Sequence, residues 1–162
     1  MTKRFLLFFT IMVLAFWSCD KDEKEDVIIV PDLEEYVAKN FPGVQPTASG
    51  VYIIVTSEGT GPKLVDGEES YCYYKLTLLT GESVRSVERN TDPKKEQTLP
   101  YKFTFNSSSL IKGWNKGFAE LNKGSKATIL IPDSLAYGAS KRDGIPPNSP
   151  LRYDVELLYL DE

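Results

Sequence analysis

The 162-residue sequence predicts an α+β fold, a mostly antiparallel sheet of about five strands with one short central helix. Two observations carry the prediction. From Gly50 onward, apolar residues alternate with polar ones in five separate segments, as half-buried strands require. One stretch among them, Ser108 to Leu121, changes to the 3.6-residue period of an amphipathic helix. No internal repeat is present.

The elements follow in order. Val27–Val30 is a β-branched run stopped by Pro31, and Asp32 is then placed to cap a helix through Asn40. Leu33, Tyr36 and Val37 fall on one face of it, and Phe41-Pro42-Gly43 ends it. A helix this short has to dock on something or fray. Val51–Thr56 makes a strand, "SEGTGP" a turn, Glu69–Leu79 a long alternating strand and Thr80-Gly81 a hairpin turn. Residues 85–100 are polar and irregular, with Pro93 and Pro100, and read as an exposed loop. Tyr101–Asn106 and Lys126–Ile131 are strands on either side of the helix. After the long connection "PDSLAYGASKRDGIPPNSP", Leu151–Leu160 closes the chain as a strand.

The helix poses a question of its own, because Gly113 and Gly117 lie one turn apart with Trp114 between them. Each glycine costs a helix about 1 kcal/mol relative to alanine, so close packing must offset that loss. Leu110, Ile111, Trp114, Phe118 and Leu121 share one arc of about 100°, and the glycines lie beside it, where the backbone can approach a sheet. Ser108 or Ser109 is the expected N-cap and Asn122-Lys123-Gly124 the C-terminal stop.

The first residues carry a different signal. Lys3 and Arg4 precede an apolar run from Phe5 to Trp17, too short to span a bilayer comfortably and followed by Ser18-Cys19. This resembles a bacterial lipoprotein signal peptide over residues 1–18, with Cys19 acylated as the new N-terminus. Phe16 stands where such motifs usually hold an aliphatic residue. The stretch "DKDEKED" that follows reads as a solvated tether, and it resembles a surface-export signal. Residues 19–47 thus comprise an acidic tether and the short helix.

Composition narrows the chemistry. The whole chain carries a net charge of −4; without Lys3 and Arg4, its 19 cations fall to 17 against 23 acids, a net of −6. Nucleic acid is an unsuitable partner for that charge. With Cys19 lipidated, Cys72 has no partner for a disulfide, and on the face of Tyr74 it reads as a small buried apolar residue. The absence of histidine removes Ser-His and Cys-His nucleophilic pairs and imidazole metal sites. No metal or cofactor is expected.

The spacing "LIKGW..GF..L..G....L.IP..LAYG......IPPN..L.Y.VELL" resembles that of the FKBP-type peptidyl-prolyl cis-trans isomerases, over roughly residues 50–160. The resemblance implies an FKBP-like domain over 48–162, in which a strongly curved antiparallel sheet wraps the helix. It implies a pocket for a proline ring floored by Trp114, with Tyr74 as a wall and Tyr101 and Phe103 nearby. Leu110 and Ile111 would line the rim, the Ile111 N–H donating to a substrate carbonyl. Tyr137 would offer its hydroxyl, Ile145 would come from a flap, and Tyr153 would lie on the last strand. Tyr74, Trp114, Tyr137 and Ile111 are thereby the catalytic candidates, and Tyr101, Phe103, Leu110, Ile145 and Tyr153 the substrate-binding ones. Without that pattern, Trp114, Phe118 and Ile111 read as plain core, the tyrosines as half-buried sheet residues and "IPPN" as a turn.

The chain also departs from the family. The usual Phe-Asp pair after the hairpin is Val84-Arg85 here, so an aromatic wall and a carboxylate are replaced; Glu88 and Asp92, in a loop longer than is common, are the acids that could substitute. The resulting expectation is a lipid-anchored peptidyl-prolyl isomerase of the bacterial outer membrane, on its periplasmic or surface side. It would act weakly on proline-containing segments of exported proteins. The alternatives are a noncatalytic FKBP-like module that binds polypeptide in the cell envelope, or a lipoprotein using the fold only as a scaffold.

Overall fold

The computed structural model describes residues 29–159. Residues 1–18, expected to be a signal peptide, Cys19 and the acidic stretch lie outside them. Two α-helices and six strands follow in the order α1 (Leu33–Asn40), β1 (Tyr52–Ser57), β2 (Glu69–Leu78), β3 (Ser83–Val87), β4 (Tyr101–Thr104), α2 (Lys112–Ala119), β5 (Lys126–Ile131) and β6 (Leu151–Leu157). All strands join one antiparallel sheet in the order β1-β5-β6-β2-β3, and β4 also pairs with β2. The long β2 accommodates both: its Glu69–Cys72 half faces β4 and its Tyr74–Thr77 half faces β3.

The helix α2 packs its apolar arc on one face of this sheet. Phe118, Ile129, Ile131, Leu151 and Leu157 are almost fully buried there, with Leu76, Phe103, Trp114 and Tyr153 around them. The paired glycines are explained by this contact. A β-carbon on Gly113 would overlap Ile131 Cγ2 and stand 3.1 Å from Ile131 Cβ; one on Gly117 would stand 2.7 Å from Ile129 Cγ2. The missing side chains let the helix lie directly against β5.

The opposite face of the sheet is covered as well. Glu35 N–H donates to Asp32 Oδ1 over 2.9 Å, so Asp32 caps α1 as expected. Leu33 and Val37 bury against Tyr52, Leu79 and Leu130, which answers whether this short helix docks or frays. Arg152 ties it further, donating to the Tyr36 hydroxyl and gripping Asp154. Cover on both faces is why β2 is buried at most positions rather than at alternate ones. Cys72, opposite Tyr101 and Leu157, is fully buried, and burial pushes its thiol well above the ordinary range.

Three sequence expectations need correction. The first residues of the loop assigned to 85–100 belong to a strand, β3, which brings the expected sheet of about five strands to six. Its polar residues sit on an edge of the sheet, where little burial is required. Neither Ser108 nor Ser109 caps α2: Ile111 holds the N-cap position at φ −62°, ψ 148° with no side-chain bond, while Ser107 and Ser109 bond one another in the preceding turn. The last strand ends at Leu157, short of Leu160.

Candidate active site

The site is built where β2, β3, β4, β6, the start of α2 and the 132–150 connection converge. Tyr74 and Leu76 alternate onto the α2 side of β2, and register places Tyr153 of β6 opposite Leu76 and Val155 opposite Tyr74. Tyr101, opposite Cys72, extends the same row from β4. The Trp114 indole lies beneath these residues.

Trp114 is only 4% exposed. One face of it stacks on Phe118, with centroids 4.5 Å apart and 24° between planes. Four rings stand edge-on around it: Tyr153 at 5.2 Å, Phe103 at 5.5 Å, Tyr74 at 5.6 Å and Tyr101 at 6.0 Å, each within about 10° of perpendicular. Above this floor opens a cavity of about 560 Å³, within the range of small-molecule sites. The indole Nε1–H is buried and has no hydrogen-bond partner among the described residues.

Tyr74, Trp114, Tyr137, Ile111, Tyr101, Leu110, Ile145 and Tyr153 all line the cavity. Phe103 does not. It is 5% exposed and packs against Trp114 and Phe118, where it buttresses the indole. Glu88 and Asp92 do not reach the lining either; the acid found there is Asp143.

Backbone geometry supplies the donors. Because the helix begins only at Lys112, the Ile111 N–H points out of the N-cap and finds no acceptor among the described residues. The flap is a tight turn in which Arg142 and Ile145 exchange backbone hydrogen bonds of 3.1 and 2.9 Å. Gly144, at φ +71°, occupies the turn position that demands a left-handed residue, and this carries Ile145 over the cavity as a buried residue.

Two consecutive residues of β3, Val84 and Arg85, both line the cavity, which a regular strand would forbid. The ladder explains it. Leu76 pairs with Arg85 and Thr77 with Ser83, so Val84 is the extra residue of a bulge that turns both side chains to one side. Arg85 lies near the Tyr74 and Tyr153 phenols. Burial raises the Tyr74 phenol, opposed in part by that positive charge, and burial raises Tyr153 further still. Both hydroxyls therefore stay protonated at neutral pH and serve as hydrogen-bond groups, not bases. Among the described residues, no cluster of Cys, Asp or Glu is placed to hold a metal ion.

Residues 61–158 match the model of the FKBP-type peptidyl-prolyl cis-trans isomerase family. The chain belongs to that family. The chain is 32% identical to the FKBP-type isomerase FkpA of Escherichia coli K12, over 86% of its own length and 48% of that protein. It is 34% identical to the peptidyl-prolyl cis-trans isomerase Fkbp12 of Drosophila melanogaster, over 69% of this chain and 99% of that protein. The crystal structure of E. coli FkpA superposes with a TM-score of 0.62 at 32% identity, covering 78% of this chain and 56% of that one. A peptidyl-prolyl isomerase from Pseudomonas syringae superposes with a TM-score of 0.63 at 28% identity, covering 80% and 90%. The chain spans about half the length of the FkpA relatives it matches.

Proposed function

We propose that this protein is a peptidyl-prolyl cis-trans isomerase, held to the bacterial outer membrane by lipid on Cys19, that assists folding of exported proteins at X-Pro bonds. The observation that carries the reading is the Trp114 floor, ringed by perpendicular aromatic side chains under an open cavity.

The chemistry asked of the site is rotation, not bond breaking. Amide resonance sets a barrier of about 20 kcal/mol, and no proton has to move. The twisted amide is less dipolar than the planar one, so an aromatic pocket that excludes water favours it relative to bulk solvent. The unpaired Ile111 N–H and the Tyr137 hydroxyl are available to hold carbonyls flanking the proline. A ten-thousandfold acceleration requires about 5.5 kcal/mol of such selective stabilisation. The test is a proline-limited refolding reaction: the protein should accelerate it and Trp114→Ala should not. No acceleration by the natural protein overturns the catalytic reading.

Lipid attachment and export rest on the run Phe5–Trp17 and Ser18-Cys19. Cys19→Ser should shift the protein from the membrane to the soluble fraction; unchanged fractionation overturns it. A second reading, a noncatalytic module that binds polypeptide in the envelope, is favoured by Arg85 standing in the lining where the family usually has a carboxylate. It predicts peptide binding without faster isomer exchange in NMR exchange spectroscopy.

A further inference from the structure

Two arginines from distant parts of the chain stand at the mouth of the cavity. Arg85 is the second residue of the β3 bulge, and Arg142 opens the flap turn; both are exposed and both line the cavity. The two elements meet at their tips, since a β-carbon on Gly144 would lie 3.3 Å from Val84 Cγ1. The arginines elsewhere in the described residues are each held by a carboxylate: Arg89 by Glu156 at 2.9 Å and Arg152 by Asp154 at 3.0 Å. Arg85 and Arg142 join no ion pair among the described residues. Arg142 instead lies over the Tyr137 ring, 5.3 Å from its centroid. The one acid in the lining is Asp143, so the mouth carries two cations against one anion on a protein whose net charge is −4.

Arg85 faces the Tyr74 phenol and Arg142 the Tyr137 ring, but a guanidinium without a carboxylate partner keeps a planar fork of donors suited to one. We propose that Arg85 and Arg142 make this site selective for segments with an acidic side chain next to the proline. The inference rests on the proline-binding reading above and adds the neighbour's chemistry to it. Each exposed ion pair contributes little alone, but both arginines act on the same ligand charge and both repel a lysine there. The potential is local, because physiological salt screens charges beyond about 8 Å. The acidic remainder of the surface therefore does not cancel it.

The test uses the intact chain and two sets of short proline peptides, identical except for Glu, Gln or Lys at the residue before the proline in one set and after it in the other. Catalysed isomer exchange by NMR should run Glu over Gln over Lys in at least one set, with Glu ahead of Lys about tenfold. In about 1 M salt, where the screening length falls to about 3 Å, the ratio should shrink below about twofold. The double variant Arg85→Glu, Arg142→Glu should reverse the order, a readout independent of its absolute activity. Equal rates for Glu and Gln peptides in both sets, or an unreversed order in the variant, overturn the proposal. Should no peptide be accelerated, the isomerase reading fails separately. Affinities of the same peptides from chemical-shift titration then decide: the same order supports selectivity, whereas equal affinities or no binding overturn it.

Discussion

Gly113 lies so close to Ile131 that no β-carbon fits between them: one added at Gly113 would overlap Ile131 Cγ2 and sit 3.1 Å from both its Cβ and Cδ1. Gly113→Ala gains about 1 kcal/mol of helix propensity but forces α2 off β5, and overpacking of this kind costs about 1–3 kcal/mol or more. Net destabilisation is expected in urea unfolding. Removing the obstacle with Ile131→Ala should make the glycine substitution far cheaper in that background, a coupling a double-mutant cycle reads directly.

Trp114 separates shape from hydrogen bonding, because its Nε1–H has no partner among the described residues. Trp114→Ala leaves a hole beneath the cavity and should cost about 3–5 kcal/mol. Trp114→Phe discards a buried unpaired donor along with some area, so its cost should be clearly smaller.

Gly144 bears on the flap. At φ +71°, with Val84 Cγ1 3.3 Å from any added β-carbon, Gly144→Ala meets both backbone strain and a neighbour. Loss of about 1–2 kcal/mol of stability and slower isomer exchange are expected. Val84→Ala should relieve only the steric part, so partial rescue is the predicted result.

The sheet and the single central helix are legible in the sequence because both follow from side-chain periodicity, whereas the Trp114 floor follows only from the family resemblance, since periodicity alone makes Trp114 plain core. The β3 edge strand is not legible. "SVRSV" has little apolar alternation to give it away, and it is held by backbone pairing to β2. The bulge at Val84 was hidden for the same reason, since register is a property of two strands and the sequence shows one. Phe103 shares the face of Tyr101 on β4, as alternation requires, but its ring packs between Trp114 and Phe118 deeper in the core, a depth that "YKFTF" alone does not report. The fate of α1 depended on Leu79 and Leu130, on the far side of the sheet, supplying its partners. The cation pair at the mouth depended on a loop folding back onto β3, which no local pattern reports.

Alkaline pH should weaken the fold. Burial raises Cys72 above its ordinary 9.0 and Tyr74 and Tyr153 above their ordinary 10.0, so the native state holds these protons more tightly than the unfolded chain. Their contribution is complete below pH 9 and is lost as pH rises through 9 and then 10, towards the raised native values. Denaturant midpoints should be flat in this respect from about pH 6 to 9 and fall above it. Cys72→Ala should remove the part of the slope that begins near pH 9.

The stacked indole has a practical consequence. The chain contains two tryptophans, Trp17 and Trp114, and Trp17 lies in the segment expected to be cleaved. A protein lacking that segment would have a single tryptophan, excitable apart from the tyrosines and seated beneath the cavity against Phe118. Its emission would then report ligand entry with no label attached.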